Sequence, residues 1–139
     1  MAKNILIAVD SSPQSDKAVE FALNLYRPHD KLCVLQVVEK GIRGRYLGTS
    51  DLEGHELQKA EQTKTKHSQF LKNRGVENFE YIIAKASDAR ECIVEHTKLK
   101  NTDLLILGSR GLSELTSLLL GSTTSYCLNH VDCTVLVVK

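Results

Sequence analysis

The chain has 139 residues, 42% of them hydrophobic and 25% charged, with 18 Lys and Arg against 17 Asp and Glu. That length suits one domain with a proper core, residues 1–139, and the composition excludes a disordered or fibrous chain. A net charge near zero excludes a surface that holds nucleic acid or membrane by bulk electrostatics, and no apolar run is long enough to cross a bilayer.

Ile5 to Val9 is continuous, apolar and rich in β-branched residues, as a strand covered on both faces should be. Ser12 and Pro13 then read as an N-cap and first helical residue. Ala18, Val19, Ala22, Leu23 and Tyr26 recur behind them at helical spacing. Leu32 to Val38 is the second strand. Gly41, Gly44 and Gly48 mark Glu39 to Ser50 as a loop. A long polar helix follows, with Leu57, Ala60, His67, Phe70 and Leu71 on its inward face, and Arg74 and Gly75 make its end. Phe79 to Ala84 is the third strand. Asp88 and Glu91 resemble a capping box that opens a helix through Leu99. Asp103 to Leu107 is the fourth strand and Thr134 to Val138 the fifth. Strands alternating with helices predict an α/β, doubly wound parallel sheet with helices on both faces.

Met1-Ala2-Lys3-Asn4 runs straight into a strand, which predicts a chain without a signal peptide. Cys33, Cys92, Cys127 and Cys133 form no C-x-x-C and no zinc spacing with a histidine. Each lies in or beside an apolar segment, as reduced thiols of a cytoplasmic protein do.

The chemistry concentrates after strand four. Gly108-Ser109-Arg110-Gly111 is followed, nine residues later, by Gly121-Ser122-Thr123. Glycines there let a ligand approach the backbone, and a Gly-Ser-Thr at a helix start offers N–H groups, hydroxyls and a positive dipole end to an anion. In a doubly wound sheet the ligand lies beyond the carboxyl ends of the strands, where strand order reverses. Those ends carry Asp10, Val37 with Val38, and Gly108. If strands one and four are neighbours, Asp10 faces the glycine loop, where a carboxylate suits ribose hydroxyls and the apolar end of strand two suits a purine. Read alone, Asp10 is a turn residue before Pro13; with the glycine loop it reads as part of a ligand site. Arg110 lies inside that loop. Arg43 and Arg45, in the earlier glycine-rich segment, read as solvated loop residues.

With those residues in view, the chain resembles the universal stress protein family over essentially its whole length. The family's nucleotide-binding pattern is Gly-x-x-Gly, nine residues, then Gly-Ser or Gly-Thr, matched here by Gly108, Gly111, Gly121 and Ser122. The opening Ile5-Leu6-Ile7-Ala8-Val9-Asp10-Ser11-Ser12 and the closing Val135-Leu136-Val137-Val138 match as well. Ser87 before Asp88 and Thr134 after Cys133 depart from the pattern, which often has glycine and proline there. The resemblance implies an adenine nucleotide alpha hydrolase-like fold, with a five-stranded sheet in the order 3-2-1-4-5. It implies that Ala8, Val9 and Asp10 line an adenosine site and that Val37 contacts adenine. Gly108, Ser109, Arg110, Gly111, Gly121, Ser122 and Thr123 would hold phosphates and ribose. The ligand it implies is ATP, or AMP or ADP, with Mg²⁺ carried on the phosphates. The partner it implies is a second copy, paired through the last strand.

The function expected is an adenine-nucleotide-binding stress-response regulator, acting as a switch or partner-binding module. Two alternatives stand beside it: a slow ATP-hydrolysing enzyme, and a dimeric scaffold that binds no nucleotide. The absence of G-K-[ST] excludes a P-loop mechanism, so hydrolysis should be slow at most. Ser109, Ser122 and Thr123 have no His/Asp partner in the pattern of a nucleophilic triad.

Overall fold

A computed structural model describes residues 1–40, 50–109 and 120–139, with the backbone alone for residues 50–53. Among the described residues nine elements follow in chain order. They are β1 (Asn4–Val9), α1 (Pro13–Leu25), β2 (Lys31–Glu39), α2 (Ser50–Asn73), β3 (Phe79–Ala86), α3 (Ala89–Leu99), β4 (Leu104–Gly108), α4 (Ser122–His130) and β5 (Thr134–Val138). The five strands form one sheet in the order β3-β2-β1-β4-β5, and every pairing is parallel.

The unbroken apolar runs follow from two-sided burial. Ile5, Ile7 and Val9 of β1 join a core layer with Ala18, Val19 and Ala22 of α1 and Leu71 of α2. Leu6 and Ala8 point the other way, to Ile93 of α3 and Cys127 of α4. Successive strand residues serve opposite layers, so neither face tolerates a polar alternation. Strands β2 and β3 run on to Glu39 and Ala86, slightly past their predicted ends. The ladder continues through Val38↔Lys85 and Glu39↔Ala86, where backbone pairing persists although Lys85 and Glu39 are exposed.

Helix ends are set by side chains where the sequence places them. The Ser12 hydroxyl accepts from Ser15 N at the start of α1, where Pro13 needs no donor of its own. The Asp88 carboxylate accepts from Arg90 N at the start of α3. Helix α2 ends with Val76 N donating to Leu71 O and Gly75 N to Lys72 O, with Gly75 at φ 84°. Helix α3 ends the same way, with Thr102 N on Thr97 O and Asn101 at φ 47°. Cys33, Cys92 and Cys127 are buried and Cys133 is half-buried, all as free thiols. Burial pushes the thiols of Cys33 and Cys127 up to about 11, which suppresses the reactive thiolate.

Candidate functional site

β1 lies at the middle of the sheet, with the chain moving first to β2 on one side and later to β4 on the other. Strand order therefore reverses between β1 and β4. The pairing Ala8↔Leu107 carries Val9 and Asp10 on to the level of Gly108 and Ser109. The pairing Val9↔Gln36 places Val37 level with Asp10 on the other side. Asp10, Val37 and Gly108 thus share one rim, as the sequence required.

Helix α4 is seated on the end of β4. Gly121 N donates to Ser109 O at 2.7 Å, and the Thr124 hydroxyl donates to Gly108 O at 2.8 Å. Ser109 N in turn donates to Val138 O of β5 at 2.8 Å. These bonds occupy the carbonyl oxygens of Gly108, Ser109 and Val138. Gly121 is the N-cap of α4 and supplies no side-chain cap. Beyond it Ser122 is exposed and Thr123 half-buried. First-turn N–H groups, two hydroxyls and a positive dipole end are presented together. Such a corner suits a phosphate or a carboxylate.

The turn between β1 and α1 is held differently. Asp10 Oδ1 accepts from Ser12 N and from the Ser15 hydroxyl, both at 2.8 Å, while Asp10 N donates to Ser15 Oγ at 2.8 Å. The turn-residue role is therefore real, and it fixes where the carboxylate stands on the rim. Gly108 also has a packing role. A Cβ built on it would lie 2.9 Å from Gln14 Cβ, so the missing side chain admits the first turn of α1 against β4. Gly121, with φ −68° and ψ 163°, adopts backbone open to any residue, so its glycine character is not demanded by conformation.

A chain of polar side chains runs beneath this rim, between the sheet and helices α1 and α2. Ser11 Oγ meets Thr63 Oγ1 at 2.9 Å and receives Gln36 Nε2 at 3.4 Å. Tyr81 OH lies 3.2 Å from Gln36 Oε1 and 3.4 Å from His67 Nδ1. His67 Nε2 lies 2.8 Å from Asp16 Oδ1, and Lys66 donates to Asp16 Oδ2 at 2.6 Å. His67 is 2% exposed and Gln36 5%. Burial opposes ionisation of Asp16, yet hydrogen bonds from Lys66 and His67 hold its carboxyl below the usual range. Burial pushes the Tyr81 phenol well up, so it stays protonated.

Of the residues singled out in the sequence, Val9, Asp10, Val37, Gly108, Ser109, Gly121, Ser122 and Thr123 lie at this rim, whereas Ala8 is buried in the layer facing α3 and α4. Arg110, Gly111, Arg43 and Arg45 lie outside the described residues. Sequence reasoning missed Thr124, whose buried hydroxyl anchors α4, and the Ser11–Gln36–Tyr81–His67 chain. Gln36, a polar residue breaking the apolar run from Leu32 to Val38, was the signal for that chain.

A helix start that begins on a glycine thus stands at the reversal point of a doubly wound parallel α/β sheet. The universal stress protein family model matches residues 1–139, and the chain belongs to that family. Universal stress protein YxiE of Bacillus subtilis is 30% identical, with both chains covered in full. The solved structure of universal stress protein UspA from Lactobacillus plantarum superposes with a TM-score of 0.86 at 27% identity, covering 99% of this chain and 97% of that one. A universal stress protein from Archaeoglobus fulgidus, solved in complex with dAMP, shares the fold with a TM-score of 0.73 at 17% identity, covering 99% and 98%.

Proposed function

We infer that this protein binds an adenine nucleotide, with ATP the best match, across the rim formed by β1, β2, β4 and the start of α4. The observation that carries the reading is the first turn of α4, which begins on a glycine with no side chain to cap it and is fixed at the end of β4 by Gly121 N and Thr124 Oγ1. Phosphates would take the N–H groups and hydroxyls of Ser122 and Thr123, with Arg110 and Gly111 joining from the glycine loop. Asp10 would face the ribose, and Ala8, Val9 and Val37 would flank the adenosine. Mg²⁺ would ride on the phosphates. A family member that holds dAMP supports the adenine choice.

The output would be regulatory, a change in shape or partner binding when nucleotide is present. A second copy would pair through β5, an edge strand among the described residues whose side chains from Val135 to Val138 are half-buried on both faces. No helix of the described residues is long and apolar enough to cross a membrane.

Gly121→Val tests the site. Its backbone angles accept a β-branched residue, so the fold should survive while the new side chain fills the phosphate corner. Calorimetric titration with ATP should show binding to the wild type and none to the variant, with unchanged circular dichroism. Mass spectrometry of the denatured, freshly purified wild type should reveal co-purified adenine nucleotide. Equal affinity in both proteins would refute the assignment.

A further inference from the structure

The buried polar chain below the rim has more acceptors than one set of protons can satisfy. Asp16 is ionised and only accepts, so His67 Nε2 carries the proton that bridges their 2.8 Å separation. The outcome at the other ring nitrogen then depends on a single further proton. Neutral His67 leaves Nδ1 an acceptor, and the one hydroxyl proton of Tyr81 turns to it across 3.4 Å. Gln36 Oε1 then loses its donor. Protonated His67 donates from Nδ1, and the Tyr81 hydroxyl turns instead to Gln36 Oε1 at 3.2 Å. Gln36 holds Ser11 Oγ through Nε2, and Ser11 directly follows Asp10 in the rim turn.

We propose that His67, Tyr81 and Gln36 form a proton-gated relay that positions the Asp10–Ser11 turn, so that ligand binding at the rim and protonation of His67 are linked. The groups of the relay are brought together from four elements. From α1, Asp16 faces His67; from β3, Tyr81; from β2, Gln36 closes the far side of Tyr81. From α2 itself, Lys66 holds the second oxygen of Asp16, Lys64 stands 5.9 Å above the Tyr81 ring, and Glu61 opposes ionisation of the phenol. Histidine is the one of these whose charge changes near neutral pH. The protonated form completes the relay, so it is the form that binds ligand better. By reciprocity, bound ligand favours the protonated form of His67.

The effect on ligand rests on the nucleotide reading above; the relay itself does not. The test therefore has two arms. In the ligand-free protein, the Ser11 amide resonance should titrate with the same midpoint as the His67 imidazole. In Tyr81→Phe, which keeps the ring and removes the hydroxyl, His67 should still titrate while Ser11 ceases to follow. Gln36→Leu, one step further along, should give the same result. A Ser11 resonance that ignores His67 in the wild type, or follows it equally in both variants, would overturn the relay. In the second arm, ATP affinity should fall about fivefold from about pH 5 to about pH 8 in the wild type relative to Tyr81→Phe, whose ratio cancels titration of the phosphates. Equal pH dependence in the two proteins would overturn the link to ligand. Failure of ATP to bind at any pH would overturn the nucleotide reading and leave the relay to be decided by the resonances.

Discussion

At the amino end of the sheet, Asp30 accepts from Lys3 N, Arg27 N and the Lys3 ammonium, all between 2.8 and 3.1 Å. Beside it, Asn4 N donates to Asp103 and the Asn4 amide to Asn101 O. At the carboxyl end, α4 begins on a glycine with no side-chain cap, and Ser122 stands exposed beyond it. One end satisfies its polar groups internally; the other has, among the described residues, a helix start with no cap from its own first residue. The difference separates residues that hold the fold from residues proposed to meet a ligand.

Substitutions should divide along that line. The largest loss of stability is expected for Asp30→Ala, which orphans the backbone N–H groups of Lys3, just before β1, and of Arg27, in the turn after α1. About 3 kcal/mol should be lost, from roughly 1–3 per unsatisfied donor, in urea unfolding with ATP affinity unchanged. Gly108→Val should follow at about 2 kcal/mol, because the new Cβ meets Gln14 and the core has no slack. Gly75→Ala meets no atom within 4 Å, so it costs only the strain of a positive φ, about 1 kcal/mol. Gly121→Val should sit last in stability and first in lost binding. If it unfolds the protein instead, the open helix start is structural and the contrast between the two ends fails.

Acid should attack the amino end first. Although burial works against ionisation, the donors around Asp30 lower its carboxyl from 3.8 to about 2. A carboxyl lowered by folding contributes stability above its unfolded value and loses it as pH falls through the folded one. The wild type should therefore weaken more steeply than Asp30→Asn between about pH 4 and about pH 2, followed by urea midpoints across that range.

The alternation of strands and helices was legible because a doubly wound sheet is encoded twice. Continuous apolar runs such as Ile5 to Val9 report burial on both faces, and the Ser12-Pro13 and Asp88 caps mark where the helices begin. The family resemblance supplied the order of the strands, which periodicity alone leaves open. Side-chain partnerships across long separations were not legible. Asp16 and His67, or Gln36 and Ser11, meet only because α1, α2 and β2 converge, and no local spacing encodes that. Gly108 shows the same limit in reverse. Its residue type suggested a ligand, while the space it leaves is taken by Gln14. The dual role of Asp10, a turn acceptor on the rim, also needed the coordinates of Ser12 and Ser15.

Amide mapping with added ATP places the ligand on one end of the sheet or the other. Resonances of Val9, Asp10, Val37, Ser122 and Thr123 should move while those of Lys3, Asp30, Gly75 and Asn101 stay fixed. Movement confined to the amino end, or no movement anywhere at saturating ATP, would contradict a nucleotide site at the α4 helix start.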